Sequence, residues 1–134
     1  MTIVLCSGGF APLHVGHLEH IAAASMLGRV IVAVNSDAWL RRKVGRVFMP
    51  EAERVIIMSA LWCVEDAFVA KDDDDTICLT LLECRPDIYC NGGDRISPNE
   101  AEHKMCVKLG IMEAFNVGGG KIRSSTEIIE AASK

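Results

Sequence analysis

The chain has 134 residues, the length of one domain able to bury a core of its own. Half of them are apolar and 24% are charged, which excludes a disordered chain, and a formal charge of −4 excludes a protein that holds nucleic acid mainly by neutralising phosphates. No apolar run approaches the roughly 20 residues of a membrane span, and no basic segment precedes the first apolar run, so a cytoplasmic protein with no membrane partner is expected.

Residues 2–9 (TIVLCSGG) form a short apolar run ending in glycines, the pattern of a buried strand. Residues 17–28 (HLEHIAAASMLG) are alanine-rich and helical in character, with Gly28 as the stop. The β-branched run at 29–37 (RVIVAVNSD) is uninterrupted, as a strand buried on both faces should be. At 50–64 (PEAERVIIMSALWCV) a proline and acids open a helix whose apolar repeat takes in Val55, Met58, Leu61 and Trp62. There follow a strand at 66–70, a helix at 75–85, a strand at 87–93, a helix at 99–110 and a strand at 111–117. A last helix at 125–134 starts at a Ser/Thr cap supported by Glu127. Five strands alternating with five helices predict a Rossmann-like, doubly wound parallel sheet with helices on both faces, one α/β domain over residues 1–134.

Six cysteines lie mostly inside apolar segments with no CxxC pair, so they read as reduced core residues. The acidic run Asp72 to Asp75 precedes a helical segment, where acids complement the positive helix start and keep a loop solvated. Four consecutive side chains in one loop do not converge on a metal without help from elsewhere.

In sheets of this class, ligands bind beyond the carboxyl ends of the strands, and the loop after the first strand meets phosphate. That loop is SGGFAPLHVGH, in which Gly8 and Gly9 let backbone N–H groups approach an anion at a helix start. His14 and His17 are three apart and project from neighbouring positions. His20 continues the spacing, but each step of three turns the face by about 60°, leaving His14 and His20 about 120° apart. One tetrahedral metal does not fit all three, so His20 reads as a helix-surface or core residue.

GGFAPLHVGH resembles the GxFDxxHxGH signature of the cytidylyltransferase-like nucleotidyltransferase superfamily, and the similarity runs along nearly the whole chain. VIVAVNSD resembles that family's second strand, Lys43 its mobile-loop lysine, and MPEAER its MPxxER segment. VEDAFVAKDDDDT is similar to its VDxVvxFxEDT stretch, RPDIYCNGGDR to its PDxxvKGGD strand end, and IRSSTEII to its iSTTxII motif.

The resemblance implies transfer of AMP or CMP from ATP or CTP to a small phosphorylated substrate, with release of pyrophosphate. Such chemistry needs no protein nucleophile, because the acceptor phosphate is one already; the protein positions reactants and stabilises charge. By resemblance, His14 and His17 are donors to developing charge, and Lys43 is a catalytic cation that closes over the phosphates. Nucleotide contacts are implied for Ser7, Gly8, Gly9, Phe10 and Gly16, for Gly92, Gly93 and Asp94, and for Arg123, Ser124, Ser125 and Thr126. Substrate contacts are implied for Asp37, Arg46 and Arg54, although Arg54 also has Glu51 and Glu53 nearby as partners. Mg²⁺ is expected to arrive with the triphosphate, with no dedicated metal ligands on the chain, and a homodimer is expected by resemblance alone.

Two positions depart from the family pattern: Ala11 replaces an acidic or amide residue, and Asn91 replaces the lysine before GGD. GGD and VNSD resemble the sugar-phosphate branch, such as adenylyltransferases acting on heptose 1-phosphate. The MP before EAER and the eleven-residue step from Lys43 to Arg54 are closer to glycerol-3-phosphate cytidylyltransferases. A nucleotide-binding protein without turnover is the alternative that Ala11 and Asn91 motivate. A class I aminoacyl-tRNA synthetase fragment fails on length and on the lack of a KMSKS-like segment.

Overall fold

The first strand, β1 (Ile3–Gly8), is apolar up to Ser7, and its alternation sends Val4 and Cys6 to one face of the sheet and Leu5 to the other. Around it a computed structural model, which describes residues 1–92 and 99–118, assembles β2 (Arg29–Val34), β3 (Val64–Val69), β4 (Ile88–Gly92) and β5 (Met112–Val117). All five run parallel in the order β3-β2-β1-β4-β5. The chain thus winds outward from β1 to β3, then crosses back to the far side of β1. That reversal leaves a crevice at the carboxyl ends of β1 and β4, where neighbouring connections depart in opposite directions.

Five helices lie among the described residues: α1 (Val15–Ser25), α2 (Asp37–Lys43), α3 (Glu51–Ser59), α4 (Cys78–Cys84) and α5 (Glu100–Leu109). Ile21 and Ala24 of α1 and Met58 of α3 pack with Val4, Cys6, Val30, Val32 and Val34 on one face. Leu81 of α4 and Cys106 of α5 pack with Leu5, Ala33 and Tyr89 on the other. Each fully buried Val or Leu in these layers contributes about 1.5–3 kcal/mol of burial. None of these helices is long and apolar enough to cross a membrane.

The strands lie where the apolar runs place them, but three helix features differ from the sequence expectation. α1 opens at Val15, because His14 supplies its cap, and closes at Ser25. Gly28 therefore does not stop it; a Cβ there would lie 2.6 Å from the Thr2 carbonyl, so a close backbone approach is what requires glycine. α3 ends at Ser59, and Trp62, expected in its apolar repeat, is 88% exposed in the turn that follows. α2 stands where the sequence predicts the end of a strand, up to Asp37, and a loop bearing Lys43. Its start signal is Ser36, whose hydroxyl accepts from Trp39 N at 3.1 Å. The expected helix at 125–134 lies outside the described residues.

Candidate active site

The loop that leaves β1 is held by its carbonyls. Gly8 O accepts from Asn35 N at 2.8 Å, and Gly9 O accepts from Arg54 Nη1 at 2.9 Å. A trans peptide is planar with C=O and N–H opposed, so the N–H groups of Gly9 and Phe10 turn the other way. Phe10 then adopts a φ of +52°, a left-handed conformation rare for a bulky residue. The turn sends its ring under Gly8, where an added Cβ would meet the ring at 3.1 Å, and edge-on to His17 at 5.0 Å between centroids. Phe10 is 3% exposed, and its ring is a support beneath the loop and His17.

His14 and His17 form the cap of α1. His14 Nδ1 accepts from Gly16 N at 3.1 Å, and His17 Nδ1 accepts from His14 N at 3.2 Å, a reciprocal arrangement built from two imidazoles. Gly16 therefore has its N–H on His14 and not available to a nucleotide. Both Nδ1 atoms accept, so each neutral ring carries its proton on Nε2, at the edge remote from the capped backbone. The rings stack at 3.8 Å with 23° between planes, which brings two N–H donors side by side at the positive end of a helix. Anion binding is what this arrangement suits.

One turn on, His20 has the opposite tautomer. Its Nδ1 lies 2.8 Å from the Val117 carbonyl and must donate, tying α1 to the end of β5. His20 is buried, and burial pushes its pKa below the ordinary value of 6.5. Gly118 follows with a φ of +93°, and a Cβ on it would lie 2.7 Å from the His20 Cα.

Arg54 lies on α3 with its side chain fully buried, and all three of its nitrogens donate. Nε donates to Met49 O at 2.8 Å, Nη1 to Gly9 O and to Asn35 O at 2.5 Å, and Nη2 to Asp37 Oδ1 at 2.8 Å. Asp37 Oδ1 also accepts from Glu51 N at 2.8 Å, while Glu51 Oε1 accepts from Asp37 N at 2.9 Å. Pro50, at the cap position of α3, has no side chain able to accept that first N–H, so the exchange between Asp37 and Glu51 caps two helices at once. These contacts give Arg54 and Asp37, expected by resemblance to meet substrate, a role within the protein itself. Their polar groups join the loops after β1 and β2 to the start of α3, and they act on the site by holding it.

Lys43 lies on the last turn of α2 and not on a loop, and its Nζ pairs with Asp75 Oδ2 at 2.9 Å. Arg46 is exposed, its guanidinium 5.0 Å from the centroid of Phe48. Within the acidic run, Asp72 caps α4 by accepting from Leu79 N at 2.7 Å and Thr80 N at 3.2 Å, which answers why acids precede that helix. Among the described residues, no three His, Cys, Asp or Glu side chains come together as metal ligands.

Ser7 is half-buried beside Gly8, the last residue of β1, and Gly92 ends β4, so both stand near the crevice. Gly93, Asp94, Arg123, Ser124, Ser125 and Thr126 lie outside the described residues. Ala11 and Asn91 are both buried. All six cysteines are free; Cys6 and Cys90 face each other on β1 and β4, and the Cys6 thiol donates to Cys90, which holds Cys6 up and Cys90 down in pKa. Burial pushes Cys106 up to about 12.

The sequence matches the family described as Cytidylyltransferase-like over residues 5–131. It is 38% identical over 134 residues to the "Bifunctional protein HldE" of Syntrophotalea carbinolica, covering 96% of this chain and 26% of that protein. To the protein of the same name from Streptomyces coelicolor it is 45% identical over 96 residues, 69% of this chain and 20% of the relative. The chain therefore spans about a quarter or less of these curated relatives. The fold is similar to the crystal structure of the lipopolysaccharide core biosynthesis protein from Thermoplasma volcanium, with a TM-score of 0.73 and 30% identity over 87% of this chain and 94% of that one.

Proposed function

Because the chain belongs to the cytidylyltransferase-like family, we propose that it transfers a nucleotidyl group, AMP from ATP, to a sugar 1-phosphate of the heptose type and releases pyrophosphate. The observation that carries this reading is the pair of stacked imidazoles at one helix end, whose Nδ1 atoms both accept from backbone N–H groups so that each neutral ring has its proton on Nε2. In the reaction an oxygen of the acceptor phosphate attacks the α-phosphorus, the bond from that phosphorus to the bridging oxygen breaks, and pyrophosphate departs. Negative charge grows on the α-phosphate oxygens and the leaving group. Fixed donors aimed there lower the barrier, since they need not reorganise as charge develops.

Lys43 adds a cation from the end of α2, and Arg46 a second from the segment after it. Gly8 and Gly9 are proposed to meet the nucleotide, and by resemblance to the family so are Gly92, Gly93, Asp94, Arg123, Ser124, Ser125 and Thr126. The donor set in hand is N–H groups and cations, which suits phosphate oxygens, so Mg²⁺ is proposed to enter bound to the triphosphate and to neutralise part of its charge. The sugar-phosphate acceptor is supported by the relatives named HldE and by the likeness to a lipopolysaccharide core biosynthesis protein. A second copy of the chain is the proposed partner, supported by the exposed Ile56 of α3 and Trp62 beyond it; a sedimentation coefficient of a monomer would remove that proposal.

Pyrophosphate release, measured with ATP and CTP separately against sugar 1-phosphates and glycerol 3-phosphate, tests the reading. Release with ATP and a sugar 1-phosphate is the expected result; release only with CTP and glycerol 3-phosphate overturns the substrate assignment. In the active combination, His17→Ala and His14→Ala should each lower turnover by about 10²-fold or more. A nucleotide-binding protein without turnover would bind ATP and release nothing in any combination.

A further inference from the structure

Of the four consecutive acids, one extends its side chain out of the loop to the cations of α2. Asp72 caps α4, and Asp74 closes a turn on Thr76 through its N–H at 2.9 Å and hydroxyl at 2.8 Å. Asp73 contributes its backbone carbonyl, which together with that of Asp74 accepts from the two ends of the Arg42 guanidinium at 2.9 and 3.1 Å. Asp75 reaches back to α2, with Oδ2 2.9 Å from Lys43 Nζ and Oδ1 3.7 Å from Arg42. Of these two adjacent cations, Arg42 makes its short contacts to backbone carbonyls and only approaches Asp75, whereas Lys43 makes its short contact to the Asp75 carboxylate. Arg42 grips backbone carbonyls, which do not change charge or leave; Lys43 grips a carboxylate that is 61% exposed on its side chain, while the lysine itself is 44% exposed.

We propose that Asp75 is a positioning residue for Lys43: it holds the ammonium on the loop between β3 and α4 and competes with the triphosphate for it. This inference rests on the reading of Lys43 as a phosphate-binding cation. An exposed lysine–carboxylate pair is weak and screened by solvent, so a polyanion carrying more charge displaces it at small cost. Arg42 keeps the end of α2 docked while the lysine exchanges partners. Nucleotide affinity is then the difference between two attractions, and Asp75 sets the level from which it is measured.

The test is calorimetric binding of MgATP to the full chain and to Asp75→Asn, Asp75→Glu, Asp73→Asn, Lys43→Ala and the double variant Lys43→Ala/Asp75→Asn. Asp75→Asn should tighten binding roughly two- to fivefold, the strength of an exposed ion pair. Asp75→Glu should bind as the parent does. Asp73→Asn removes the same charge from the same loop but no contact to Lys43, and should leave affinity unchanged. In the Lys43→Ala background Asp75→Asn should have no effect, because the competition runs through that lysine. Unchanged affinity in Asp75→Asn, an equal gain in Asp73→Asn, or a gain that persists without Lys43 overturns the proposal. If Lys43→Ala itself binds MgATP as tightly as the parent, the reading of Lys43 fails and takes the proposal with it, a result distinct from a weakened Lys43→Ala beside a silent Asp75→Asn.

Discussion

The two ends of α2 carry ion pairs of nearly equal length in opposite settings. At its start Asp37 meets Arg54 at 2.8 Å, with the arginine fully buried; at its end Lys43 meets Asp75 at 2.9 Å, with both partners near half exposed. Distance alone does not separate them. Burial does, because a buried charge deprived of its partner has no water to turn to, whereas an exposed one is resolvated at once. The start of α2 is therefore architecture, fastened to the loop that carries Gly9, and the end is free to exchange partners. A site that must hold donors still and let a cation move has use for both.

Breaking the buried end has the largest expected effect. Arg54→Met removes four donated hydrogen bonds and leaves Asp37 without its cation, and should cost about 3–5 kcal/mol of stability, read from chemical denaturation. A loss no larger than that of a surface substitution would mean the pair is not the fastener described here. Asp37→Asn keeps an oxygen to accept from Glu51 and Arg54 but removes the counter-charge, with an expected cost of about 1–3 kcal/mol. At the exposed end Lys43→Ala should change stability by no more than about 0.5 kcal/mol, yet raise the KM for the triphosphate roughly tenfold. Equal effects on stability at both ends would erase the contrast.

The same contrast runs along α1, and pH sharpens it. His20 is buried and takes a proton less readily when folded than when unfolded, so the unfolded chain binds more protons as pH falls below about 6.5. Stability should be unaffected by this group above that value, decline as pH drops through it, and stop declining below the depressed folded pKa. His20→Gln, which retains a donor for the Val117 carbonyl, should flatten that part of the stability profile; an unchanged profile would show that His20 is not its source.

Much of the site was legible in a short stretch of sequence because its chemistry is local. His14 and His17 are three residues apart at a helix start, and that spacing suffices to bring their rings together and to hand their Nδ1 atoms to nearby N–H groups. Gly8 stood out for the same reason, although its close neighbour is the Phe10 ring. The partners of Arg54 were hidden, because Gly9, Asn35 and Asp37 lie 45, 19 and 17 residues away along the chain. The pairing of Lys43 with Asp75 spans 32 residues and was equally hidden. α2 did have a local signal, the Ser36 cap, masked by the strand-like residues running into it.

The alternation of apolar strands with amphipathic helices was determined by the sequence by itself, because burial on two faces demands continuous apolar strands and each helix needs one apolar stripe. So was the placing of a glycine-rich loop and two histidines three residues apart at the start of α1. Which polar side chains face a ligand and which hold the frame was decided only by the tertiary structure. Arg54 and Lys43 are both cations eleven residues apart, and nothing in their local pattern distinguishes them. The fold takes water away from one and leaves it to the other, and that difference in solvation makes the first a fastener and the second a movable charge.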